Sequence, residues 1–519
     1  MLSRGFDSLL ARRAAETPND VAAIFPDGTL TYAQLERRAM DMARRLRALG
    51  VRAGDRVGIL LLEGSPDYVA LMFGAAKLNA IAVNVNARYK EHELRYLVGH
   101  AGLRLLVADP RLRGVVEAAD VAAACPVVEP GDERFEAARE ETSDAEVEAE
   151  MARISGDEPV LMLYTSGTTA KPKGCLHAHR GLLHQAGAFA GRLELRAGDR
   201  FWTPLPLFHI GGITVVIASI HAGVPFVHVG LYQLEQAIEQ LCSVRPTVAF
   251  PAFETIWLEV IGHERFTEET MGQLRLVAAI GIPERLRQMQ DAVPWATLVS
   301  ATGSTESGGF LCLGSPHDPR EKRLATAGRA VPGMEVRIAD PETGEDVPPG
   351  TDGELLFRGP CRFLRYHEDP EATAASIDAD GWFHSGDIVC ADEEGYVAYV
   401  GRYKDMLKVG GENVAAAEIE DFLATHPAVK IVQVVSAPDA RYTEVAAAFV
   451  ELHEGASATE QELIDYCRGR IATFKVPRYV RFVEEWPLAN NKIRKVELRE
   501  RIARELAEKG IKQAPKITS

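Results

Sequence analysis

The chain has 519 residues, 58 Lys+Arg against 74 Asp+Glu, and a net charge of −16. That length exceeds one hydrophobic core and implies roughly three to four core-sized units. With 46% hydrophobic and 25% charged residues the composition is that of a soluble globular protein, and the acidic balance excludes a general nucleic-acid binder. The seven cysteines form no C-x-x-C pair, so neither a zinc site nor a disulfide framework is indicated. No signal peptide and no apolar run of spanning length is read, and the expected location is cytoplasmic.

Taken in chain order, "PDGTLTYAQL" predicts a hairpin turn at Asp27–Gly28 and a helix opened by a Thr31/Gln34 capping box. Leu35, Ala39, Met42, Ala43 and Leu46 keep helical spacing, and Gly50 ends the helix. Strands at "RVGILLL", "AIAVNVN" and "LRLLVAD" alternate with helices at "YVALMFGAAKL" and "EHELRYLVGH", which predicts a parallel sheet with crossover helices. The acidic residues 129–150 read as a solvated helix or linker. Alternation resumes through Ala301. After Gly328, "GMEVRIAD", "DGELLFRG" and "GYVAYVG" predict an antiparallel β-subdomain. Beyond Lys404 the pattern is a small α+β unit. The fold class is therefore α/β: a large N-terminal domain of parallel α/β sheets plus a β-subdomain, and a small α+β C-terminal domain.

The most informative stretch is "YTSGTTAKPKG", residues 164–174. Its hydroxyls, glycines and lysines are groups that hold phosphate oxygens. The nucleotide-kinase spacing G-x-x-x-x-G-K-[ST] fails here, because Gly167 has no Gly five positions on and Lys173 is followed by Gly174. The flanks "VLMLY" and "CLHAH" read as extended, so the loop joins two strands rather than opening a helix. A polar surface loop is the plain alternative. Further polar stretches follow: "PLPLFHIGG" with His209, "AIGIPERL", "ATGSTESGG", "WFHSGDI" with Asp387, "GRYKDMLKVGGENV" and "PLANNKIRK" with Lys492. "AIGIPERL" and "ATGSTESGG" place Gly-rich turns at the C-terminal ends of parallel strands, where open α/β sheets bind ligands. Singly, each stretch also reads as a turn, a core histidine or a solvated face.

In their order and spacing these stretches resemble the adenylate-forming superfamily of acyl-CoA synthetases, luciferases and peptide-synthetase adenylation domains, over nearly the whole chain. The likeness is strongest to a bacterial acyl-CoA synthetase. It implies an N-terminal AMP-binding domain over 1–402, a mobile C-terminal domain over 403–519, and an active site between them. It also implies a ligase of fatty-acid metabolism with ATP, Mg²⁺ and CoA as cofactor and co-substrates, and a small carboxylic acid as partner. It leaves a homodimer open.

The roles implied by the resemblance run as follows. Thr165, Ser166, Gly167, Thr168, Thr169 and Lys173 would hold the ATP phosphates, and Thr165 and Glu306 would hold Mg²⁺. Gly281, Ile282, Pro283, Thr302 and Gly303 would line the adenine site, with Ser304 and Thr305 beside the phosphates. Asp387 would accept from the ribose hydroxyls, and Arg402 would support ribose or phosphate. Lys492 would stabilise charge during adenylation, and His209 would sit where acid, ATP and thiol meet. Trp202, His209, Phe253, Thr302, Gly308 and Phe310 are acyl-pocket candidates. Lys408, Gly410, Gly411 and Glu412 would border the CoA path, and Lys404 is the hinge.

The chain departs from the family pattern at several positions. Ala170 replaces a Gly in the phosphate loop, Thr302 an aromatic, Ser385 a Thr and Ala416 a Pro. The C-terminal motif is one residue short, with Asn491 for Gly, though Asn tolerates a left-handed turn. The leading expectation is an acyl-CoA ligase. A stand-alone enzyme loading a carrier-protein thiol and a catalytically silent homologue are the alternatives; a kinase fits less well.

Overall fold

The computed structural model describes residues 5–165, 172–402, 406–409, 412–468, 470–471, 473–489, 492–515 and 517. The chain divides into two compact units. One comprises Met1–Gly281, Leu286–Val336 and Phe357–His384, and the other Ile282–Arg285, Arg337–Leu356 and Ser385–Ser519.

The first unit holds two large sheets. The seven-stranded sheet runs Arg365–Tyr366, Lys173–Ala178, Pro159–Thr165, Ile81–Asn84, Arg56–Leu60, Leu105–Ala108, Val127–Val128. Its last five strands are mutually parallel, whereas Lys173–Ala178 pairs antiparallel on both sides. The parallel strands are apolar along their length, as expected for strands covered on both faces. The nine-stranded sheet runs Arg329–Ala330, Gly309–Leu313, Thr297–Ser304, Leu276–Ile280, Val248–Phe253, Phe201–Thr203, Phe226–His228, Val21–Phe25, Gly28–Thr31. It is parallel in the middle and antiparallel at both ends.

Local chemistry sets the elements as the sequence predicts. The Thr31 hydroxyl accepts from the Gln34 N–H at 3.3 Å, while the Gln34 side chain accepts from the Thr31 N–H at 2.9 Å. This capping box opens the Tyr32–Ala48 helix, whose Leu35, Ala39, Ala43 and Leu46 face is buried.

The acidic stretch is a correction. Helices Glu133–Ala137 and Asp144–Met151 lie on the Tyr32–Ala48 helix, with Phe135 and Val147 buried in its core. Arg37 pairs with Asp144 at 2.7 Å, Arg47 with Glu150 at 3.2 Å, and Arg45 with Glu136. Two apolar residues among the acids, facing a basic helix, make this a docked segment instead of a linker.

A four-stranded sheet runs Glu335–Ala339, Asp352–Arg358, Phe383–Ala391, Val397–Arg402, the last pair antiparallel. In the second unit a five-stranded sheet centres on Thr443–Leu452, which pairs with Met406–Val409, Val429–Asp439 and Tyr479–Phe482. Helix Ala416–Ala424 packs beside Val432 and Val434 in one core cluster. Leu498, Ile502 and Leu506 of helix Lys495–Glu508, spaced four apart, join Val435 and Ala437 in another. The alternation of one strand thus feeds two faces. Among the described residues no helix is long and apolar enough to cross a membrane.

Candidate active site

The site is built at the strand-end edge of the seven-stranded sheet, where two of its inner strands run out. Strands Pro159–Thr165 and Lys173–Ala178 form an antiparallel ladder whose last rung is Thr165 opposite Lys173. The connection between them is a strand-to-strand loop, as its flanks predict. Ser166, Gly167, Thr168, Thr169 and Ala170 lie outside the described residues. At the root of the loop the Tyr96 hydroxyl donates to the Pro172 carbonyl at 3.1 Å, and Tyr164 Oη lies 2.8 Å from His100 Nδ1.

Glu306 reaches the same edge from the nine-stranded sheet. The turn expected at the end of a parallel strand is there, at residues 305–308: Thr297–Ser304 runs parallel to Leu276–Ile280, extends through Thr302 and Gly303, and turns back antiparallel into Gly309–Leu313. Gly303 makes the hairpin feasible, since a Cβ there would lie 1.9 Å from the Gly309 carbonyl oxygen. Ser307 closes the tip: its buried hydroxyl accepts from the Ser304 N–H at 2.9 Å and donates to the Gly309 carbonyl at 2.8 Å. Gly308 sits at φ +74°, and a Cβ there would lie 2.4 Å from the Cys361 carbonyl oxygen, so a side chain is excluded.

Tyr366, which carries no sequence signal, joins these groups. Its hydroxyl donates to Glu306 Oε1 at 2.9 Å, and its ring faces the Lys173 ammonium, 4.9 Å from the centroid. Burial, then the Glu306 charge, pushes the phenol far above its ordinary range, so it stays a donor. Cys175 lies beneath, its Sγ 4.0 Å from Thr165 Oγ1, and burial followed by Glu306 holds it as a thiol. A threonine hydroxyl, a carboxylate and a nearby lysine are oxygen donors and charge of the kind that Mg²⁺ and a polyphosphate share, since Mg²⁺ takes one or two protein oxygens and completes its shell with phosphate and water. Among the described residues no cluster of three or more His, Cys, Asp and Glu offers a resident metal centre.

The acyl-pocket candidates separate. Phe310 stacks on Phe189 at 4.7 Å and meets Phe250 edge-on at 5.0 Å, and Phe201 stacks on Phe189 from the next layer. Trp202 is the neighbour of Phe201 on its strand and points to the opposite face, where it is fully buried against Trp257 and donates to Gln240 at 3.1 Å. Its indole is core. His209 stands at the N-cap position of the Ile210–Ala222 helix without a side-chain cap bond, half-buried, with its ring 4.8 Å from that of Phe208. Thr302 is half-buried. The side chain of Phe253 lies outside the described residues.

In the second unit, Asp387 stands opposite Arg402 in the Phe383–Ala391/Val397–Arg402 ladder. The Ser385 hydroxyl accepts the Asp387 N–H at 3.0 Å, and Glu354 accepts the Gly386 N–H at 2.9 Å, which fixes the "SGD" turn. Ile282 and Pro283 belong to this unit, Gly281 to the first. Lys492 pairs with Ala489 in a two-residue hairpin, and Lys408 with Asn413 in another ladder. The side chains of Arg402, Lys408, Glu412 and Lys492 lie outside the described residues, as do Lys404, Gly410 and Gly411.

The fold is that of an adenylate-forming enzyme. A model of the AMP-binding enzyme family matches residues 10–367 and one of the AMP-binding enzyme C-terminal domain matches residues 418–492, and the chain belongs to this family. It is 33% identical to the putative acyl-CoA synthetase YngI of Bacillus subtilis, covering 95% of this chain and 96% of that one. It is 34% identical to the fatty acid--[acyl-carrier-protein] ligase ScoC of Streptomyces coeruleorubidus, covering 94% of each. The crystal structure of ATP-bound MatB from Rhodopseudomonas palustris, 27% identical, aligns with a TM-score of 0.86 over 96% of this chain and 99% of that one. The chain is accordingly an acid–thiol ligase of the acyl-CoA synthetase type that uses ATP.

Proposed function

We propose that the chain is an ATP-dependent acyl-CoA ligase. It converts a carboxylic acid to acyl-AMP with release of pyrophosphate, then passes the acyl group to the thiol of CoA with release of AMP. The observation that carries this reading is the convergence of Thr165, Lys173 and Glu306 at one sheet edge. A carboxylate is a poor electrophile, and adenylation turns it into one with a good leaving group. Such phosphoryl chemistry rests on positioning and charge stabilisation.

Thr165 and Lys173, with the intervening loop, hold the phosphates. Thr165 and Glu306 hold Mg²⁺, which neutralises phosphate charge when bound. Thr302 and Gly303 border the adenine, Asp387 holds the ribose, and Lys492 stabilises charge on the reacting oxygens. Phe310, Gly308 and His209 bound the acyl group, and their aromatic and small side chains favour an apolar acid. The segment 408–412 borders the thiol's path. A domain boundary after residue 402, with Lys404 as hinge, lets Lys492 and that segment act in separate half-reactions. The compartment is the cytoplasm.

A second reading has a specific observation behind it: the likeness to ScoC favours a carrier-protein thiol as acceptor. One assay separates the two. Acid-dependent AMP release across a panel of acids is measured with free CoA and with a phosphopantetheinylated carrier protein. Release with CoA supports the first reading; release with the carrier protein alone supports the second.

A further inference from the structure

Lys173 and Glu306 carry opposite charges at one edge, yet no ion pair joins them among the described residues. The group lying between them is Tyr366. Its hydroxyl donates to Glu306 Oε1 at 2.9 Å while its ring face meets the Lys173 ammonium at 4.9 Å. The side chain is 6% exposed, so it cannot swing away into solvent.

Its backbone is held at both ends of the contact. The Phe363 N–H donates to the Glu306 carbonyl at 2.8 Å. The Leu364 N–H donates to Leu176 and the His367 N–H to Gly174, each at 2.7 Å. Residues 363–367 thus stitch the Glu306 hairpin to the strand that begins at Lys173, with Tyr366 opposite Cys175. Phe363 packs its ring 4.7 Å from that of Tyr366 and limits its rotation.

The chemistry of this arrangement is specific. A free ammonium and carboxylate at such an edge would pair directly and neutralise each other. The phenol prevents this by offering each a separate, neutral partner: an O–H for the carboxylate and a π-face for the cation. The ammonium keeps its N–H donors for phosphate, and the carboxylate keeps an oxygen for a cation.

We propose that Tyr366 is a positioning residue for the nucleotide site, a neutral spacer that holds Glu306 and Lys173 apart and poised for Mg²⁺ and phosphate. The inference rests on the reading of that site given above. It bears on the ATP half-reaction alone, because the transfer from acyl-AMP to the thiol uses neither the metal nor the β- and γ-phosphates.

The test uses the full chain and three variants, Tyr366→Phe, Tyr366→Leu and Glu306→Gln. ATP binding is measured by calorimetry with and without Mg²⁺, and pyrophosphate exchange and thioester formation from preformed acyl-AMP are followed separately. Y366F removes only the hydroxyl. Losing a hydrogen bond to a charged group should weaken Mg²⁺-dependent ATP binding by about ten-fold and raise the Mg²⁺ concentration for half-maximal exchange. ATP binding without Mg²⁺ and thioester formation should stay as in the wild type. Y366L also removes the ring, so that Lys173 and Glu306 pair, and ATP binding without Mg²⁺ falls as well. A Y366F protein with wild-type Mg²⁺ dependence while E306Q loses it overturns the spacer role and leaves the site standing. If E306Q itself leaves Mg²⁺ dependence unchanged, the site reading fails, and the inference with it. Equal loss in both half-reactions for Y366F makes Tyr366 a fold residue only and also overturns the proposal.

Discussion

Two lysines central to this account sit on hairpins of very different build. Lys173 ends a six-rung ladder, Pro159 to Thr165 against Lys173 to Ala178, inside a seven-stranded sheet with neighbours on both flanks. Lys492 sits on a ladder of two rungs, Leu488 with Ile493 and Ala489 with Lys492, which joins no larger sheet among the described residues. Near the first, Cys175 and Tyr366 are buried; beside the second, Leu488 is 60% exposed. A lysine in a wide sheet is fixed before the ligand arrives. A lysine on a short arm depends on a few local contacts, and little packing is lost if it moves. The difference matches the roles proposed: a resident group for phosphates and a visiting group for one half-reaction.

Replacing each lysine tests that contrast most strongly. Lys492→Ala should reduce pyrophosphate exchange by about a hundred- to a thousand-fold, the scale of one lost transition-state donor, and spare thioester formation from supplied acyl-AMP. Equal damage to both steps would contradict a lysine that serves one of them. Lys173→Met should cost roughly ten- to a hundred-fold in ATP affinity, measured by calorimetry, with the fold intact. An unchanged affinity would make Lys173 a sheet-edge residue only.

The arm's own support offers a smaller effect. Lys495, three residues beyond Lys492, pairs with Glu420 at 2.6 Å, and Glu420 also accepts the Val434 N–H at 2.6 Å. This partly buried pair ties the base of the hairpin to helix Ala416–Ala424. Lys495→Met should lower adenylation by at most about ten-fold through misplacement of Lys492, and leave ATP affinity unchanged. A loss of ATP affinity would show that Lys495 acts on the nucleotide directly.

A last effect is on stability instead of activity, and it belongs to the first unit. Burial pushes the imidazoles of His177, His179 and His228 down to about 4. Two of them are held neutral by their contacts: His179 Nδ1 accepts the Phe6 N–H at 2.9 Å, and His228 Nδ1 accepts the Gly230 N–H at 3.0 Å. An unfolded histidine takes its proton near about 6.5, so between there and about 4 the unfolded chain binds more protons than the folded one. The stability from keeping these rings neutral is present above that range and is lost as pH falls through it. The melting temperature of the first unit should therefore drop between pH values of about 7 and 5. A flat profile would mean that these rings protonate without cost.

Much of this was legible in the sequence because it is local. The Thr31/Gln34 capping box, the alternating strands and helices, and the strand-to-strand nature of the 164–174 loop depend on residues a few positions apart. Tyr366 was invisible for the opposite reason. Nothing around it forms a motif, and its role comes from pairing with a strand distant in the chain. The turn after Thr297–Ser304 is legible from its glycines, but the antiparallel return into Gly309–Leu313 is not, because it depends on two backbones approaching too closely at Gly303 for any side chain. Trp202 read as a pocket residue by position, but strand alternation turns it into the core. Sequence order alone does not tell which face a short strand offers to which layer.

The reaction itself is open to product analysis. Purified protein is incubated with ATP, Mg²⁺, CoA and a panel of apolar carboxylic acids, and nucleotides and thioesters are quantified together. AMP, pyrophosphate and acyl-CoA should form in equal amounts, dependent on the acid. Formation of ADP, or consumption of ATP without any acyl-CoA from an acid that is adenylated, would contradict the proposed reaction.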